Sequence, residues 1–511
     1  MRLKVFALVL ILAAGGFAAA RRLQAEPWAQ GLRPPAVAGQ FYPADPATLR
    51  AALDGFLRDA EPPRVAGPVA IVVPHAGYIY SGQIAADAYR QAAAMPVDTV
   101  VILGTNHTNA AFRRVSVYDG EGYRTPLGVA RVDRDLAAAL VKEGGAVFDA
   151  SLHAREHSVE VQVPFVQHVF PGAAIVPVVV GAPDPDSCRR FGRALAALAA
   201  GRRVLIVASS DLSHYPERRI AAAVDRRTLE AIAGMKAEAL AELEVRAATA
   251  QGGGIDTHAC GEGPIRVAIE AARALGALRG TVVSYANSGD TVIGDPGRVV
   301  GYGSVVFGAG EPGTDLRALE PVAADAAGAL DLVDKKVLLR LVRETITRFL
   351  RTETVPLPRG GSARLLRESG AFVTLKSRGQ LRGCIGRIQP AGPLIQLVGT
   401  LALDSAFRDG RFTPVGVAEL KDIEIEVSVL TPLVSVPRPE DVQPGRDGVV
   451  LRLGDRSAVF LPQVATEQGW TRAELLDNLA QKAGLAAGAW RDRRATLLTF
   501  RADVFGESLL K

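Results

Sequence analysis

Several histidines directly follow short apolar runs that are typical of buried strands in an α/β sheet. The runs are Val69–Val73, Thr99–Gly104 and Arg203–Ser209, and the histidines after them are His75, His107 and His214. In an open α/β sheet, ligands bind outside the carboxyl ends of the strands. We therefore expect these three imidazoles to converge at one edge of the sheet, although they lie far apart in the sequence.

Cys260 supplies a softer ligand to the same edge. It follows the glycine-rich stretch Gly252–Gly254 and precedes a predicted helix that opens near Pro264. A helix N-terminus lowers the pKa of a nearby thiol, which favours both metal ligation and nucleophilic attack. Two imidazoles with one thiolate suit iron, copper or zinc better than magnesium or calcium. The sequence therefore predicts a transition-metal site with open coordination positions.

Carboxylates stand beside two of the histidines. Asp211 precedes His214 by three residues, and Glu156 is adjacent to His157. Such pairs orient an imidazole or transfer a proton, so we interpret Asp211, His214 and His157 as catalytic candidates. The alternative for any single loop histidine is a surface or capping role, and His157 fits either interpretation.

The remaining histidines and one cysteine carry weaker signals. His258 fits a site role or a structural role equally well. His153 and His168 are interpreted as peripheral to the site. Cys188 lies on an apolar helical segment and is interpreted as a packing residue.

The order of elements indicates two domains. Between residues 35 and 308, apolar strands alternate with Ala-rich helical segments, which predicts an α/β domain with a mainly parallel sheet sandwiched by helices. Residues 309–332 are rich in Gly, Ala, Pro and Asp without strand signals, and we interpret them as a linker. Residues 333–511 begin with an amphipathic helix, continue into a hairpin around residues 377–380, and form a smaller α+β domain.

Composition narrows the functional classes. A chain of 511 residues exceeds what one hydrophobic core supports, and 48% hydrophobic with 22% charged residues is typical of globular proteins. The net charge is +5, but the arginines are scattered and not interleaved with aromatic residues, so we expect no nucleic-acid partner. Three well-separated cysteines form no disulfide framework.

The N-terminal segment resembles a targeting sequence. Basic residues in Met1–Lys4 precede an uncharged apolar run over Val5–Ala20, followed by Arg21-Arg22. Residues 1–27 are therefore interpreted as a signal peptide or a short membrane anchor. We expect membrane contact by this segment and an exported, periplasmic or membrane-anchored protein. The alternative is a buried N-terminal helix.

Segments in the first domain resemble the Memo family. They are Ala38–Pro43, Pro74–Tyr78, Leu103–His107, Glu156–Gln162, Ser209–His214 and Ala259–Gly261. The resemblance implies a fold like that of class III extradiol dioxygenases and a metal ion, iron or copper with zinc as the alternative, bound by His75, His107 and Cys260. It also implies that Asp211 and His214 line the same pocket. The dioxygenases use a carboxylate where this chain has Cys260.

The second domain resembles the AMMECR family through Leu381–Gly386 and Asp404–Phe412. Gly410 stands where a proline is common in that family. Arg382 and Cys384 form a candidate reactive or binding patch, and the alternative for Cys384 is a small buried strand residue. The two families occur with a radical SAM enzyme in the AmmeMemoRadiSam system. The resemblance therefore implies such an enzyme as a partner, which this chain, lacking a three-cysteine cluster motif, is not itself.

Four functions are compatible with these residues. The leading hypothesis is a metal-dependent redox or oxygen-handling protein, a dioxygenase-like oxidoreductase acting on a small molecule. A metal carrier would use the same ligands without a substrate pocket, and a scaffold would retain the site without catalysis. A metal-free cysteine hydrolase would use Cys260 as nucleophile with His214 and Asp211 as base and orienting group.

Overall fold

The computed structural model describes residues 31–182, 184–240, 242–243, 255–310, 313–319, 328–359, 362–390 and 392–510. The segment predicted to be a signal peptide or membrane anchor, residues 1–27, lies outside the described residues. Over the described ranges, every helix is too short or too polar to span a membrane.

The chain folds into two compact units. Over the described residues, the first unit takes residues up to 214 together with 223–285 and 301–318, and the second takes 215–222, 286–300 and 319 onward. The first unit is a mixed α/β fold with a large sheet rich in parallel strands, and the second has antiparallel sheets. The predicted fold class is confirmed at this level.

The large sheet has nine strands. Its strands are β2 (Ala66–Val73), β3 (Thr99–Thr105), β4 (Val115–Val117), β7 (Val147–Phe148), β8 (Ala174–Val180), β9 (Val204–Ser209), β10 (Arg279–Asn287), β11 (Gly301–Ala309) and β12 (Gly313–Asp315). A separate, smaller sheet contains β1 (Leu32–Arg33), β5 (Gly122–Thr125) and β6 (Gly128–Arg131). The large sheet has the order β12-β10-β11-β2-β9-β3-β8-β4-β7. Its centre, β2-β9-β3-β8, is parallel throughout, so the carboxyl ends of these four strands share one edge.

Helices connect these strands. They are α1 (Pro46–Arg58), α2 (Tyr78–Ala92), α3 (Arg134–Gly144), α4 (Ala150–His153), α5 (His157–Glu160), α6 (Val163–Val169), α7 (Pro185–Ala199), α8 (Arg218–Ala233) and α9 (Glu262–Ala274). Side chains of Asp45, Asp133 and Asp184 cap α1, α3 and α7 by accepting backbone N–H groups of the first turn. Both α2 and α9 pack on β2, the strand that leads into His75.

Residues 157–169 form two short helices, α5 and α6, because Pro164 lacks an N–H to continue the first and lies in the opening turn of the second. One sequence prediction differs from the structure in detail. The stretch predicted to be a linker contains β12, which pairs in parallel with β10. Backbone hydrogen bonds hold this edge strand of three residues, which is too short for a side-chain pattern to predict it.

The second unit contains two four-stranded antiparallel sheets. The first has the order β14-β13-β15-β20 and the second β16-β19-β17-β18, with β13 (Ala371–Ser377), β14 (Gln380–Arg387), β15 (Ile423–Leu430), β16 (Val434–Val436), β17 (Gly448–Leu453), β18 (Arg456–Phe460), β19 (Thr496–Phe500) and β20 (Ala502–Gly506). The helices are α10 (Leu332–Thr352), α11 (Ala363–Leu366), α12 (Leu394–Leu403), α13 (Pro462–Gln468) and α14 (Arg472–Lys482). The predicted hairpin is β13–β14, and α10 and α12 pack together over its sheet.

A buried ion pair ties the start of the described chain to α5. Arg33 Nη1 lies 2.6 Å from Glu160 Oε2, and neither side chain is exposed. The Glu160 carboxylate also accepts hydrogen bonds from the Tyr42 hydroxyl and from the backbone N–H groups of Ala36 and Val37. Arg33 donates further to the carbonyl groups of residues 153 and 156. Both charges are therefore fully compensated.

We expect Glu160→Gln to lower the free energy of unfolding of this unit by roughly 3–5 kcal/mol, because it leaves the Arg33 charge buried without its partner. The matched control is Arg58→Gln, which removes an exposed pair with Asp59 whose side chains are 66% and 33% exposed. That control should cost no more than about 1 kcal/mol. Urea unfolding followed by circular dichroism measures the free energy of unfolding of both variants. Equal losses in the two variants would contradict the conclusion that Glu160 compensates a buried Arg33 charge.

Candidate metal centre

His75 lies two residues beyond β2 and is almost completely buried, with 2% of its surface exposed. Its backbone N–H donates to Asp211 Oδ1 at 2.7 Å. Its ring Nδ1 is 3.0 Å from Ser209 Oγ, which β9 places alongside β2. Its ring Nε2 is 3.2 Å from Cys260 Sγ. Burial, and next the neighbouring His157 and His107, lower the pKa of His75 well below its ordinary value, so its imidazole is neutral.

His107 lies two residues beyond β3 and is oriented by Glu156. Its ring Nδ1 is 2.9 Å from Glu156 Oε1, and its backbone N–H donates to Glu156 Oε2 at 2.7 Å. Burial raises the pKa of Glu156, but the hydrogen bonds from His107 and from the Ser158 backbone outweigh it and bring that pKa to about 2. Glu156 is therefore an ionised carboxylate that accepts the Nδ1 proton of His107 and leaves its Nε2 lone pair free for a metal.

Cys260 lies directly before the N-cap of α9, the helix whose proximity was expected to lower the pKa of its thiol. The structure contradicts that expectation. Burial, and next the nearby Asp211 carboxylate, raise the pKa of the Cys260 thiol well above its ordinary value. The partial charge at the helix terminus is too weak to offset the loss of water.

The three predicted ligands converge. One ligand atom each of His75, His107 and Cys260 lies within 4.8 Å of the others. The rings of His75 and His107 are 5.3 Å apart and nearly perpendicular. His75 is buried, Cys260 is part-buried and His107 is exposed, so the cluster is accessible to solvent at His107.

His157 joins this group from α5. Its ring stacks on His107 at 4.4 Å and lies 5.4 Å from the His75 ring. Its Nδ1 is 3.6 Å from Glu156 Oε1, and His107, Glu156 and His157 form a second set with metal-ligand spacing. Burial, and next His107, lower the pKa of His157. His157 is thus a neutral base beside the three predicted ligands.

Asp211 and His214 lie in the loop after β9. Asp211 Oδ1 accepts the backbone N–H groups of His75 and Ala76, and burial raises the pKa of Asp211 despite the opposing effect of His214. His214 Nδ1 is 2.9 Å from the Leu212 carbonyl oxygen, so this nitrogen carries a proton. Asp211 therefore positions the backbone of a predicted ligand in addition to any acid–base role.

Asp225 supports this loop from α8. It is fully buried, and its carboxyl group accepts the Ser213 backbone N–H and the Tyr285 hydroxyl, each at 2.9 Å. A Cβ atom at residue 301 would lie 2.0 Å from Asp225 Oδ2, so Gly301 is required there. Burial raises the pKa of Asp225 to about 6.

The remaining histidines and Cys188 lie outside the two candidate metal sets of the described residues. His153, interpreted from sequence as peripheral, is completely buried between the Tyr123 hydroxyl and Ser116 Oγ. His168 pairs with Asp54 at 3.0 Å. Cys188 is buried, in keeping with a packing role. His258 is not among the residues of either set with metal-ligand spacing found in the described part of the chain.

Arg382 and Cys384 lie on β14, an edge strand of the second unit. Arg382 Nε donates to Glu419 Oε1 at 2.9 Å. Asp409 accepts the backbone N–H of Cys384, and Arg411 donates to its carbonyl oxygen at 3.0 Å. The two AMMECR-like segments thus meet, with residues of the second satisfying backbone groups of the exposed strand edge.

Glycines of the same motif allow this close approach. A Cβ atom on Gly383 would lie 2.1 Å from the Ser405 carbonyl oxygen, and one on Gly386 would lie 2.0 Å from the Phe372 ring. The thiol of Cys384 accepts a hydrogen bond from Thr374 Oγ1 at 3.3 Å. These contacts give Arg382, Gly383, Cys384 and Gly386 structural partners, and a reactive role for Arg382 and Cys384 stays a prediction.

Ser209 and Gln162 are two site residues for which the sequence predicts no role. Ser209 ends β9 beside His75, and the Gln162 side chain donates to both Ser209 Oγ and the Pro74 carbonyl oxygen at 2.9 Å. Both residues stood in segments that carry the Memo resemblance, which was the available signal. Their function depends on three-dimensional proximity, which spacing does not reveal.

Comparisons with known proteins agree with the two-part layout. A family model described as Memo-like protein matches residues 33–306, and one described as AMMECR1 matches residues 339–505. A MEMO1 family protein of Methanopyrus kandleri is 38% identical over 288 residues, covering 54% of this chain and 98% of the relative. A MEMO1 family protein of Aquifex aeolicus is 40% identical over 277 residues, covering 54% of this chain and 99% of the relative.

Two solved structures are also similar to this chain. An uncharacterized protein from Pyrococcus horikoshii is 36% identical with a TM-score of 0.32, covering 33% of this chain and 89% of its own. An uncharacterized protein from Escherichia coli K12 is 16% identical with a TM-score of 0.32, covering 47% of this chain and 100% of its own.

The raised pKa of Asp225 predicts a pH dependence of stability. The folded state holds the Asp225 proton up to a pH of about 6, and the unfolded state holds it only to about 3.9. The contribution of Asp225 to the free energy of unfolding is therefore complete below pH ~4 and is lost as the pH rises through ~6. The full difference amounts to about 3 kcal/mol. Asp225→Asn should remove this slope, measured by urea unfolding at several pH values between these limits. An unchanged slope in the variant would contradict the prediction.

Proposed function

The chain belongs to the Memo-like protein family and carries an AMMECR1 domain after the Memo domain, and from this membership and the site geometry we propose that it binds a transition-metal ion through His75, His107 and Cys260. The observation that carries the proposal is the convergence of these three ligand atoms within 4.8 Å. The proposed ion is iron or copper, with zinc as the alternative.

The donor set fits such an ion. Metal–nitrogen and metal–sulfur bonds of about 2.0–2.3 Å place ligands around one ion at separations like those within this cluster. Neutral imidazoles and a thiolate are ligands for iron, copper and zinc, whereas magnesium and calcium require oxygen ligands. Three protein ligands leave positions open for a small molecule on the exposed His107 side.

When bound, the ion would supply Lewis-acid or one-electron chemistry to a molecule in those positions. The chain's own residues have separate tasks. Glu156 orients His107, and Asp211 holds the backbone of His75. His157 and His214, each with a nitrogen able to accept a proton, are the proposed proton-transfer groups for a redox or oxygen-handling reaction.

The metal-free hydrolase is the less favoured alternative. A cysteine nucleophile needs a thiolate, and the surroundings of Cys260 raise its pKa. The imidazole nitrogen 3.2 Å from its sulfur belongs to His75, and His214 Nδ1 faces the Leu212 carbonyl oxygen. A metal carrier or a scaffold would use the same three residues, and substrate-dependent turnover would distinguish the enzyme from both.

Three parts of the proposal rest on family resemblance or on the N-terminal sequence. The dioxygenase-like chemistry and a radical SAM partner are proposed from the resemblance to the Memo and AMMECR families. Export or membrane anchoring follows from the apolar run over Val5–Ala20. A small-molecule substrate is the proposed ligand of the open coordination positions.

Protection of Cys260 from alkylation tests the metal site. At a metal concentration of about 100 times Kd, about 1% of sites are free, so iodoacetamide should modify Cys260 roughly 100-fold more slowly than in chelator-treated protein. Peptide-resolved mass spectrometry measures the rate for each cysteine, with Fe²⁺ under anaerobic conditions and with Zn²⁺.

Cys384 is the internal control, because it lies in the second unit outside the candidate metal sets, and its rate should not change with metal. His107→Ala should weaken the protection of Cys260 at the same metal concentration. Equal rates for Cys260 with and without metal would contradict ligation and favour the hydrolase.

A further inference from the structure

The hydroxyl group of Ser209 takes part in three polar contacts. It donates to the Ser158 carbonyl oxygen at 2.7 Å and accepts from Gln162 Nε2 at 2.9 Å. Its third partner, at 3.0 Å, is Nδ1 of His75. Ser158, Gln162 and Ser209 are completely buried, so the partners of this group are protein atoms.

The orientation of the Gln162 amide follows from its neighbours. Its Nε2 also faces the Pro74 carbonyl oxygen at 2.9 Å, and a carbonyl only accepts. Its Oε1 faces the Tyr89 hydroxyl at 3.3 Å. A flipped amide would place two oxygens against each other at Pro74. The group facing Ser209 is therefore a donor.

The hydrogen bonds of the Ser209 hydroxyl determine the tautomer of His75. A serine hydroxyl has one proton and two lone pairs. Its proton goes to the Ser158 carbonyl oxygen and one lone pair accepts from Gln162, which leaves a lone pair toward His75. Nδ1 of His75 must therefore carry a proton. The lone pair of that imidazole is on Nε2, which faces Cys260 Sγ at 3.2 Å.

We propose that Gln162 and Ser209 are positioning residues that hold His75 as its Nδ1–H tautomer, with the Nε2 lone pair directed at the metal position. The part of this inference that concerns the metal rests on the proposed function, whereas the tautomer does not. Gln162 acts on His75 twice, through Ser209 on the ring and through the Pro74 carbonyl on the preceding peptide. Glu156 has the corresponding task at His107.

The tautomer is measured on metal-free, full-length protein. Long-range ¹H–¹⁵N correlation spectra of histidine-labelled protein distinguish protonated from unprotonated ring nitrogens, and the His75 signals are assigned by their loss in His75→Gln. We expect Nδ1 to be protonated in the wild type. A proton on Nε2 would overturn the inference whatever the metal does.

The effect on metal binding is measured with Co²⁺ as the probe. Ser209→Ala removes the acceptor of the Nδ1 proton, and we expect Co²⁺ affinity to fall about 10–100-fold, the usual effect of losing a group that orients a ligand. The thiolate-to-cobalt absorption band should remain, because Cys260 is unchanged. Gln162→Met, which lets the Ser209 hydroxyl turn, should lower the affinity in the same direction.

Ser284→Ala is the matched control. Ser284 is a buried serine on β10 of the same sheet, and its hydroxyl bonds to Asp87 and Ser304, neither of which belongs to the candidate metal cluster. It should leave Co²⁺ affinity unchanged, and an equal loss in both serine variants would reduce Ser209 to a general packing role. Wild-type protein that shows no thiolate-to-cobalt band would instead contradict the proposed function, while the spectra of metal-free protein still decide the tautomer.

Discussion

The buried ion pair between Arg33 and Glu160 constrains the segment on which the site depends. Residues 156–162 supply Glu156 to His107, place His157 beside it, and bring the Ser158 carbonyl and the Gln162 amide to Ser209. Arg33 binds this segment at the Glu156 carbonyl and the Glu160 carboxylate. Taking both charges out of water is costly, so the pair contributes fixed geometry more than net stability.

With that segment in place, the polar groups of the cluster have defined roles. Burial keeps His75 and His157 neutral, while hydrogen bonds keep Glu156 ionised. Burial also keeps the proton on Cys260, so metal binding would require its release. A bound cation reverses the local electrostatics and stabilises a thiolate. The pocket therefore favours a neutral thiol without metal, and a bound metal ion would favour the thiolate.

Much of this arrangement could be predicted because the strands are short, apolar and buried. Their carboxyl ends indicated where His75 and His107 would meet. The pKa direction of Cys260 could not be predicted, since it depends on burial by groups distant in sequence. The same holds for Gln162 and Ser209, whose role follows from contacts 47 positions apart in the chain. Strand β12 was not predicted from the sequence, because only its backbone pairing with β10 defines it.

X-ray absorption spectroscopy of the full-length protein loaded with one equivalent of Zn²⁺ tests the proposed metal ligand set. We expect one sulfur at about 2.3 Å and two imidazole nitrogens at about 2.0–2.1 Å, with the remaining coordination completed by light atoms. In Cys260→Ser protein the sulfur contribution should disappear. A wild-type spectrum with only nitrogen and oxygen neighbours would contradict ligation by Cys260.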